Sequence, residues 1–213
     1  VKLTFFSDTH TKHAKVDLSA GGDVLIFCGD MSARGSLRDV ESFAAYMAQR
    51  PYKYKIVIAG NHDFCFENEE RHQAIELIKN SGAHYLDDSG IELEGIKFWG
   101  SPVQPFFHNW AFNRMRGPEI LKHWKLIPAD TDVLITHGPP MGILDRIYSG
   151  EQVGCQDLLE RVREIAPRLH AFGHIHEDYG IKEVGETIFI NACSVDLKLK
   201  IIRPALHYII DNM

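Results

Sequence analysis

Apolar residues in this chain gather into short unbroken runs, and five of those runs lead directly to a side chain able to bind a metal. Residues 3–6 precede Asp8, 24–28 precede Asp30, 54–59 precede Asn61, 133–136 precede His137, and 169–172 precede His174. A strand with one wet face alternates apolar and polar positions, whereas a continuous β-branched or aromatic run predicts a strand covered on both faces. The intervening segments predict helices over 37–49, 69–80, 118–124 and 155–165. Ser36 is placed to cap the first, Gly82 follows the second with Lys79 in its last turn, and Pro167 follows the fourth.

The pattern changes over residues 84–100, where apolar pairs are separated by Asp87-Asp88-Ser89-Gly90 and Glu94-Gly95. That spacing predicts strands joined by tight turns. A second hairpin is expected over 179–190 and a last strand over 205–210. Parallel-type and hairpin-type strands in one chain suit an α/β fold of two mixed sheets facing each other, with helices outside. The length of 213 residues fits one domain, 1–213, with no repeat or linker.

Composition narrows the function. The chain is 45% hydrophobic and 24% charged, the profile of a globular protein. A formal charge of -6 argues against nucleic acid as the partner, because backbone phosphates are bound by clustered Lys and Arg. No apolar run is long enough to span a bilayer, so no membrane partner is expected. Cys28, Cys65, Cys155 and Cys193 lie far apart without CxxC spacing and read as buried free thiols. Together with a chain that opens on a core strand, they point to a cytoplasmic protein.

The polar clusters are Asp8-Thr9-His10, Gly29-Asp30, Gly60-Asn61-His62-Asp63, His137 and Gly173-His174-Ile175-His176. Each alone reads equally as a solvated or capping turn. Their joint fall at predicted strand ends, the edge where open α/β sheets build sites, makes a metal centre the better reading. Carboxylate, carboxamide and imidazole together suit a borderline divalent ion: manganese first, with iron, cobalt, nickel or zinc as alternatives. Seven candidate ligands (Asp8, His10, Asp30, Asn61, His137, His174, His176) exceed one tetrahedral ion. Two ions roughly 3.5–4 Å apart would use them all and clamp both oxygens of a phosphoryl transfer.

These motifs, DxH, GD, GNH followed by Asp, H and GHxH, resemble the signature of the calcineurin-like metallophosphoesterases. More narrowly, Ser7 to His10, Tyr54 to His62, Trp110 to Asn113 and Thr136 to Pro140 make the chain similar to the metallophosphoesterase-domain proteins and class III cyclic nucleotide phosphodiesterases. The resemblance implies a four-layer α/β/β/α sandwich. It implies a first metal held by Asp8, His10, Asp30 and His176, and a second by Asp30, Asn61, His137 and His174, with Asp30 as the bridge. His62 is then the catalytic residue that protonates the leaving oxygen, or otherwise a hydrogen-bonding partner of the ligands. Many relatives orient that histidine with an acidic residue three positions after the GD aspartate, but Ala33 stands there in this chain.

Arg34 occupies the place of a phosphate-contacting arginine in the related protein phosphatases, with a solvated loop charge as the alternative. The segment 106–116 is unusually aromatic and carries two arginines. Phe107, Trp110 and Arg114 are its candidates for substrate contact, since base stacking is worth about 1–3 kcal/mol. The alternative is that these aromatics pack the loop onto the core. The resemblance points to a small phosphodiester substrate, a cyclic nucleotide of 2',3' or 3',5' type. A phosphomonoesterase or broad phosphoesterase, and a noncatalytic metal-binding interaction module, stand as the other readings.

Overall fold

The computed structural model describes residues 1–211. In chain order its strands are β1 (Lys2–Phe6), β2 (Val24–Cys28), β3 (Tyr54–Ile58), β4 (His84–Tyr85), β5 (Ser89–Leu93), β6 (Ile96–Ser101) and β7 (Gln104–Pro105). They continue as β8 (Asn113–Arg114), β9 (Val133–Thr136), β10 (Leu169–Phe172), β11 (Gly180–Val184), β12 (Thr187–Asn191) and β13 (Leu206–Ile209). The helices are α1 (Leu37–Ala48), α2 (Arg71–Asn80), α3 (Pro118–Trp124) and α4 (Gln156–Ile165).

The first sheet runs β13-β1-β2-β3-β4 and the second β11-β12-β10-β9-β6-β5. β1 to β4 are mutually parallel with β13 antiparallel at the edge. In the second sheet β6, β9, β10 and β12 are parallel, and β5 and β11 close it as hairpin partners. The buried side chains form three clusters that define four layers. Leu3, Ile26, Ile56 and Ile58 meet Phe98, Ile135, Ala171 and Ile190 between the sheets. Leu25, Phe27 and Val57, on the other face of the first sheet, meet Val40, Phe43, Ala74 and Ile78 of α1 and α2. Leu134 and Phe172 likewise meet Trp124 of α3 and Leu158 and Val162 of α4. A run such as Val24–Cys28 therefore still alternates, but between two dry cores.

Helix punctuation largely follows the residues. Ser36 Oγ accepts from Asp39 N at 3.2 Å at the start of α1. Cys155, expected as the first helical residue, is the cap of α4, its sulfur accepting from Leu158 N at 3.4 Å. The second helix begins at Arg71 rather than 69, because Asn68 Oδ1 takes Glu70 N at 2.8 Å and holds the chain in a turn. The stretch 84–100 also departs from a simple meander. β4 pairs in parallel with β3, and the chain crosses to the second sheet before β5 and β6 form the hairpin. Tyr85 stacks on Phe66 at 4.9 Å and Leu86 packs between the sheets, so burial on both sides overrides the local turn signals.

The carboxyl ends of β1, β2 and β3 lie beside those of β9 and β10 along one edge of the sandwich. Ser7, just past β1, bridges to Cys193 past β12, which locks the two sheets together at that edge. All four cysteines are free and buried. Among the described residues no helix is long and apolar enough to cross a membrane.

Candidate metal centre

Each candidate ligand sits on the first turn after a strand, where the chain must reverse quickly to return over a helix. Asp8, His10, Asp30 and His174 adopt φ values of 54°, 40°, 63° and 67°. Such left-handed backbone in non-glycine residues costs of order 1–3 kcal/mol each and persists where surrounding structure imposes it. Here the imposition is a ladder between loops: Asp8 N donates to Gly29 O at 2.9 Å and His10 N to Asp30 O at 3.1 Å.

These turns bring all seven predicted ligands to one buried point. Asp30 Oδ1 accepts from His62 N at 2.8 Å, which leaves Oδ2 lying 3.5 Å from His137 Nε2 and 3.9 Å from His10 Nε2. Asp8 accepts from His174 N at 3.1 and 3.0 Å and presents Oδ1 3.7 Å from His176 Nε2. Asn61 Oδ1 is 2.8 Å from His137 Nε2. Ligand atoms of His10, Asp30 and His62, and of Asp8, Asp30 and His137, each cluster within 4.8 Å. Asp8, His10, Asp30, Asn61 and His137 are buried, while His174 and His176 border a cleft.

The chemistry of these atoms fits a cation. Both ring nitrogens of His10 are buried without a hydrogen-bond partner, a state that normally costs a kcal/mol or more. Burial drives His10 toward its neutral, metal-binding form against the pull of Asp30 and Asp8. His137 donates through Nδ1 to the Cys28 carbonyl at 2.9 Å, so Nε2 is the nitrogen turned toward the oxygens of Asn61 and Asp30. Burial opposes charge on that ring, but the Asp30 carboxylate pushes its pKa up to about 9. Burial also opposes ionisation of Asp8, yet the neighbouring His176 and His137 imidazoles bring it down to about 2. Asp30 is likewise held below the usual carboxylate range, burial being outweighed chiefly by the charge and hydrogen bond of His137. Two ionised carboxylates ringed by imidazole and carboxamide match a borderline divalent ion.

Two residues given no role from sequence lie at the centre, one as its frame and one beside its ligands. Asp63 is fully buried and accepts from Gly60 N, Asp30 N and Ser32 N, each at 2.9 Å, from Met31 N at 3.3 Å and from Ser32 Oγ at 2.7 Å. One carboxylate thus ties the Asp30 turn to the Asn61 turn. Burial and the Asp30 charge raise its pKa to about 6 against those donors. Cys193 is the other: its sulfur clusters with Asp8 and His176. The spacing of Asp63 within the GNHD cluster was the available signal for the first; nothing local marked the second. Gly173 has no room for a side chain, since a Cβ there would lie 2.2 Å from Asp8 Oδ2 and from Ser7 Oγ.

His62 stands at the rim. Its Nδ1 donates to the main-chain carbonyl of Ala33 at 2.8 Å, which supplies from the backbone the orientation that a carboxylate at that position would have given. The expected substrate contacts separate. Trp110 stacks on His62 with ring centroids 4.1 Å apart. Arg114 is committed to Glu67 Oε1 at 2.9 Å and to His123 Nε2 at 3.3 Å and does not face the cleft. Arg34 is an exposed loop residue beside Ala33. Phe107 lines a cleft of about 680 Å³ that borders His174 and His176, together with Phe106, Met141, Ile147 and Arg116. The Arg116 guanidinium is spent on the carbonyls of Gly154 and Val153 at 2.9 and 3.0 Å. A two-strand clasp absent from the sequence reading, β7 with β8, closes the loop that carries Phe107 and Trp110.

Comparison with known proteins places this geometry in context. The model of the calcineurin-like phosphoesterase family matches residues 1–178. Metallophosphoesterase domain-containing protein 1 of Homo sapiens is 38% identical over 223 residues, covering 94% of this chain and 68% of that protein. A UPF0046 protein of Caenorhabditis elegans is 39% identical over 220 residues, covering 94% of this chain and 77% of its own length. Among solved structures, phosphopantetheinyl hydrolase from Mycobacterium tuberculosis superposes with a TM-score of 0.62 at 14% identity, covering 93% of this chain and 90% of that one. At that identity the likeness concerns the fold.

Proposed function

Because the chain belongs to the calcineurin-like phosphoesterase family, we propose that it is a dinuclear metal-dependent phosphodiesterase acting on small phosphodiesters, cyclic nucleotides in the first instance. One observation carries the reading: Asp30 Oδ2 lies 3.5 Å from His137 Nε2 and 3.9 Å from His10 Nε2, so one carboxylate is within reach of both sets of would-be ligands. Asp8, His10, Asp30 and His176 would hold one ion, and Asp30, Asn61, His137 and His174 the other. Manganese is the first candidate for both, from ligand type. When bound, such ions supply Lewis acidity for the phosphoryl oxygens and an ionised water near neutral pH.

The chain's own residues supply the rest. The Cys28 carbonyl fixes the tautomer of His137 so that Nε2 is the ligating nitrogen. Asp63 fixes the turns bearing Asp30 and Asn61. His62, with Nδ1 anchored on Ala33, keeps Nε2 free to give a proton to the leaving oxygen. The cleft beside His174 and His176 supports an ester with an organic substituent, because it is lined by Phe106, Phe107, Met141 and Ile147 and has room well beyond a phosphate group.

The test is metal content together with manganese-reconstituted hydrolysis of bis-p-nitrophenyl phosphate and of 2',3'- and 3',5'-cyclic nucleotides, with Asp30→Ala beside the native protein. Two ions per chain and turnover of a cyclic nucleotide are expected, both lost in the variant. Two ions with turnover of monoesters alone would move the assignment to a phosphomonoesterase, and no bound metal would leave an interaction module.

A further inference from the structure

The indole of Trp110 lies on the face of the His62 imidazole, centroids 4.1 Å apart and planes 28° from parallel. Phe64 flanks the indole at 6.0 Å, and His10 meets the imidazole edge-on at 4.6 Å and 78°. One face of the Trp110 indole is thus engaged within the protein. The Ala33 hydrogen bond sets which nitrogen of His62 carries the inward proton, but a single bond leaves an imidazole free to tilt about its axis. A flat ring packed on its face removes that freedom.

Trp110 is itself held to the same turn. Ala111 N donates to Asn61 O at 3.1 Å, the carbonyl that precedes His62, and Phe112 N donates to Glu67 Oε2 at 2.6 Å. Pairing of β7 with β8 closes the loop behind them, with Gln104 opposite Asn113. The aromatic loop and the His62 turn therefore behave as one unit.

We propose that Trp110 is a positioning residue for His62, its indole face holding the imidazole at the angle from which it protonates the leaving oxygen. The proposal rests on His62 as proton donor. In the step concerned a water oxygen bonds to phosphorus as the bond from phosphorus to the leaving oxygen breaks; the leaving oxygen keeps that electron pair and takes the Nε2 proton of the doubly protonated His62, whose ring is left neutral with Nδ1–H still on the Ala33 carbonyl.

The experiment compares native protein with His62→Ala, Trp110→Leu, Trp110→Phe and the His62→Ala/Trp110→Leu pair, each manganese-loaded and checked for metal content. The substrates are bis-p-nitrophenyl phosphate, whose leaving group departs without help, and diphenyl phosphate, whose leaving group needs a proton. Trp110→Leu is expected to lower kcat on diphenyl phosphate by roughly 10–100-fold with KM and metal content kept, and to affect the nitrophenyl ester little. Trp110→Phe restores most of the rate, and the pair is no slower than His62→Ala alone. In metal-free protein, His62→Ala changes tryptophan emission when Trp110 is present and leaves it unchanged in Trp110→Phe. Equal slowing of both esters, loss of metal, additive losses in the pair, or emission indifferent to His62 would overturn the proposal. A rate that falls in His62→Ala and not in Trp110→Leu overturns it alone. Unchanged diphenyl phosphate hydrolysis in His62→Ala overturns the proton-donor reading with it.

Discussion

At the scale of single residues the centre is a problem of space as much as of ligands. Asp8 reaches its place only because Gly173 has no side chain: a Cβ there would lie 2.2 Å from the Asp8 carboxylate. Gly173 has ordinary backbone torsions, so the constraint is steric rather than conformational. Gly173→Ala is therefore expected to displace Asp8 and to lower metal content and hydrolysis at least tenfold, in the range found when groups supporting a metal site are lost. Gly138→Ala is the matched control, since its Cβ would meet nothing nearer than His174 Cδ2 at 3.9 Å. Metal analysis and circular dichroism on both variants check this; equal metal content in the two would show that the crowding is relieved elsewhere. Asp63 works at the same scale, one buried carboxylate receiving five hydrogen bonds from two loops.

At the scale of elements, the strands that carry ligands also carry a buried titratable group away from them. His170, in the middle of β10, sits at 0% exposure. It pairs through Nε2 with Thr136 Oγ1 of β9 at 2.8 Å, while that hydroxyl donates to Gly138 O at 2.7 Å. Burial brings its pKa down to about 3, against about 6.5 in an unfolded chain. Between those values the unfolded state binds the extra proton. The contribution of neutral His170 to stability is thus complete above about pH 6.5 and is lost as pH falls toward 3, at up to about 1.4 kcal/mol per pH unit. Urea unfolding of native protein and His170→Gln between pH 7 and 4.5 is expected to show a shallower pH dependence in the variant. Parallel curves would mean that the ring is charged inside the fold.

At the scale of the whole molecule, Asp8, His10, Asp30 and Asn61 come from the ends of β1, β2 and β3 in one sheet, and His137, His174 and His176 from β9 and β10 in the other. Ions shared among them would staple the two sheets beyond the apolar core between them. Any ligand that binds only the folded state stabilises it, by about 2.7 kcal/mol at a hundredfold excess over Kd. For a chain of this size that raises Tm by roughly 5–10 °C. Manganese is expected to give such a rise in a thermal melt of metal-free protein, and Asp30→Ala to abolish it; an equal rise in both would place the binding elsewhere.

Much of this was legible in the residues. Continuous apolar runs ending at Asp8, Asp30, Asn61, His137 and His174 announce strands buried on both faces and the edge on which their polar residues meet, because strand period and solvent exclusion are local properties. The resemblance of the motifs to a known family pointed to seven side chains, which the fold then brings together at that edge. Other features needed the tertiary structure. The Ala33 carbonyl that receives His62, and the indole that packs on it, are contacts between loops distant along the chain. Trp110 and Phe107 look equivalent in one aromatic segment, yet one faces His62 and the other the cleft, because the β7–β8 clasp fixes how that loop turns. β4 left its neighbours for the first sheet because burial of Tyr85 and Leu86 outweighed the turn signals beside them. Local pattern determined which residues could form strands and carry ligands; three-dimensional packing decided which of them touch, since contact depends on closure of the chain and not on order along it.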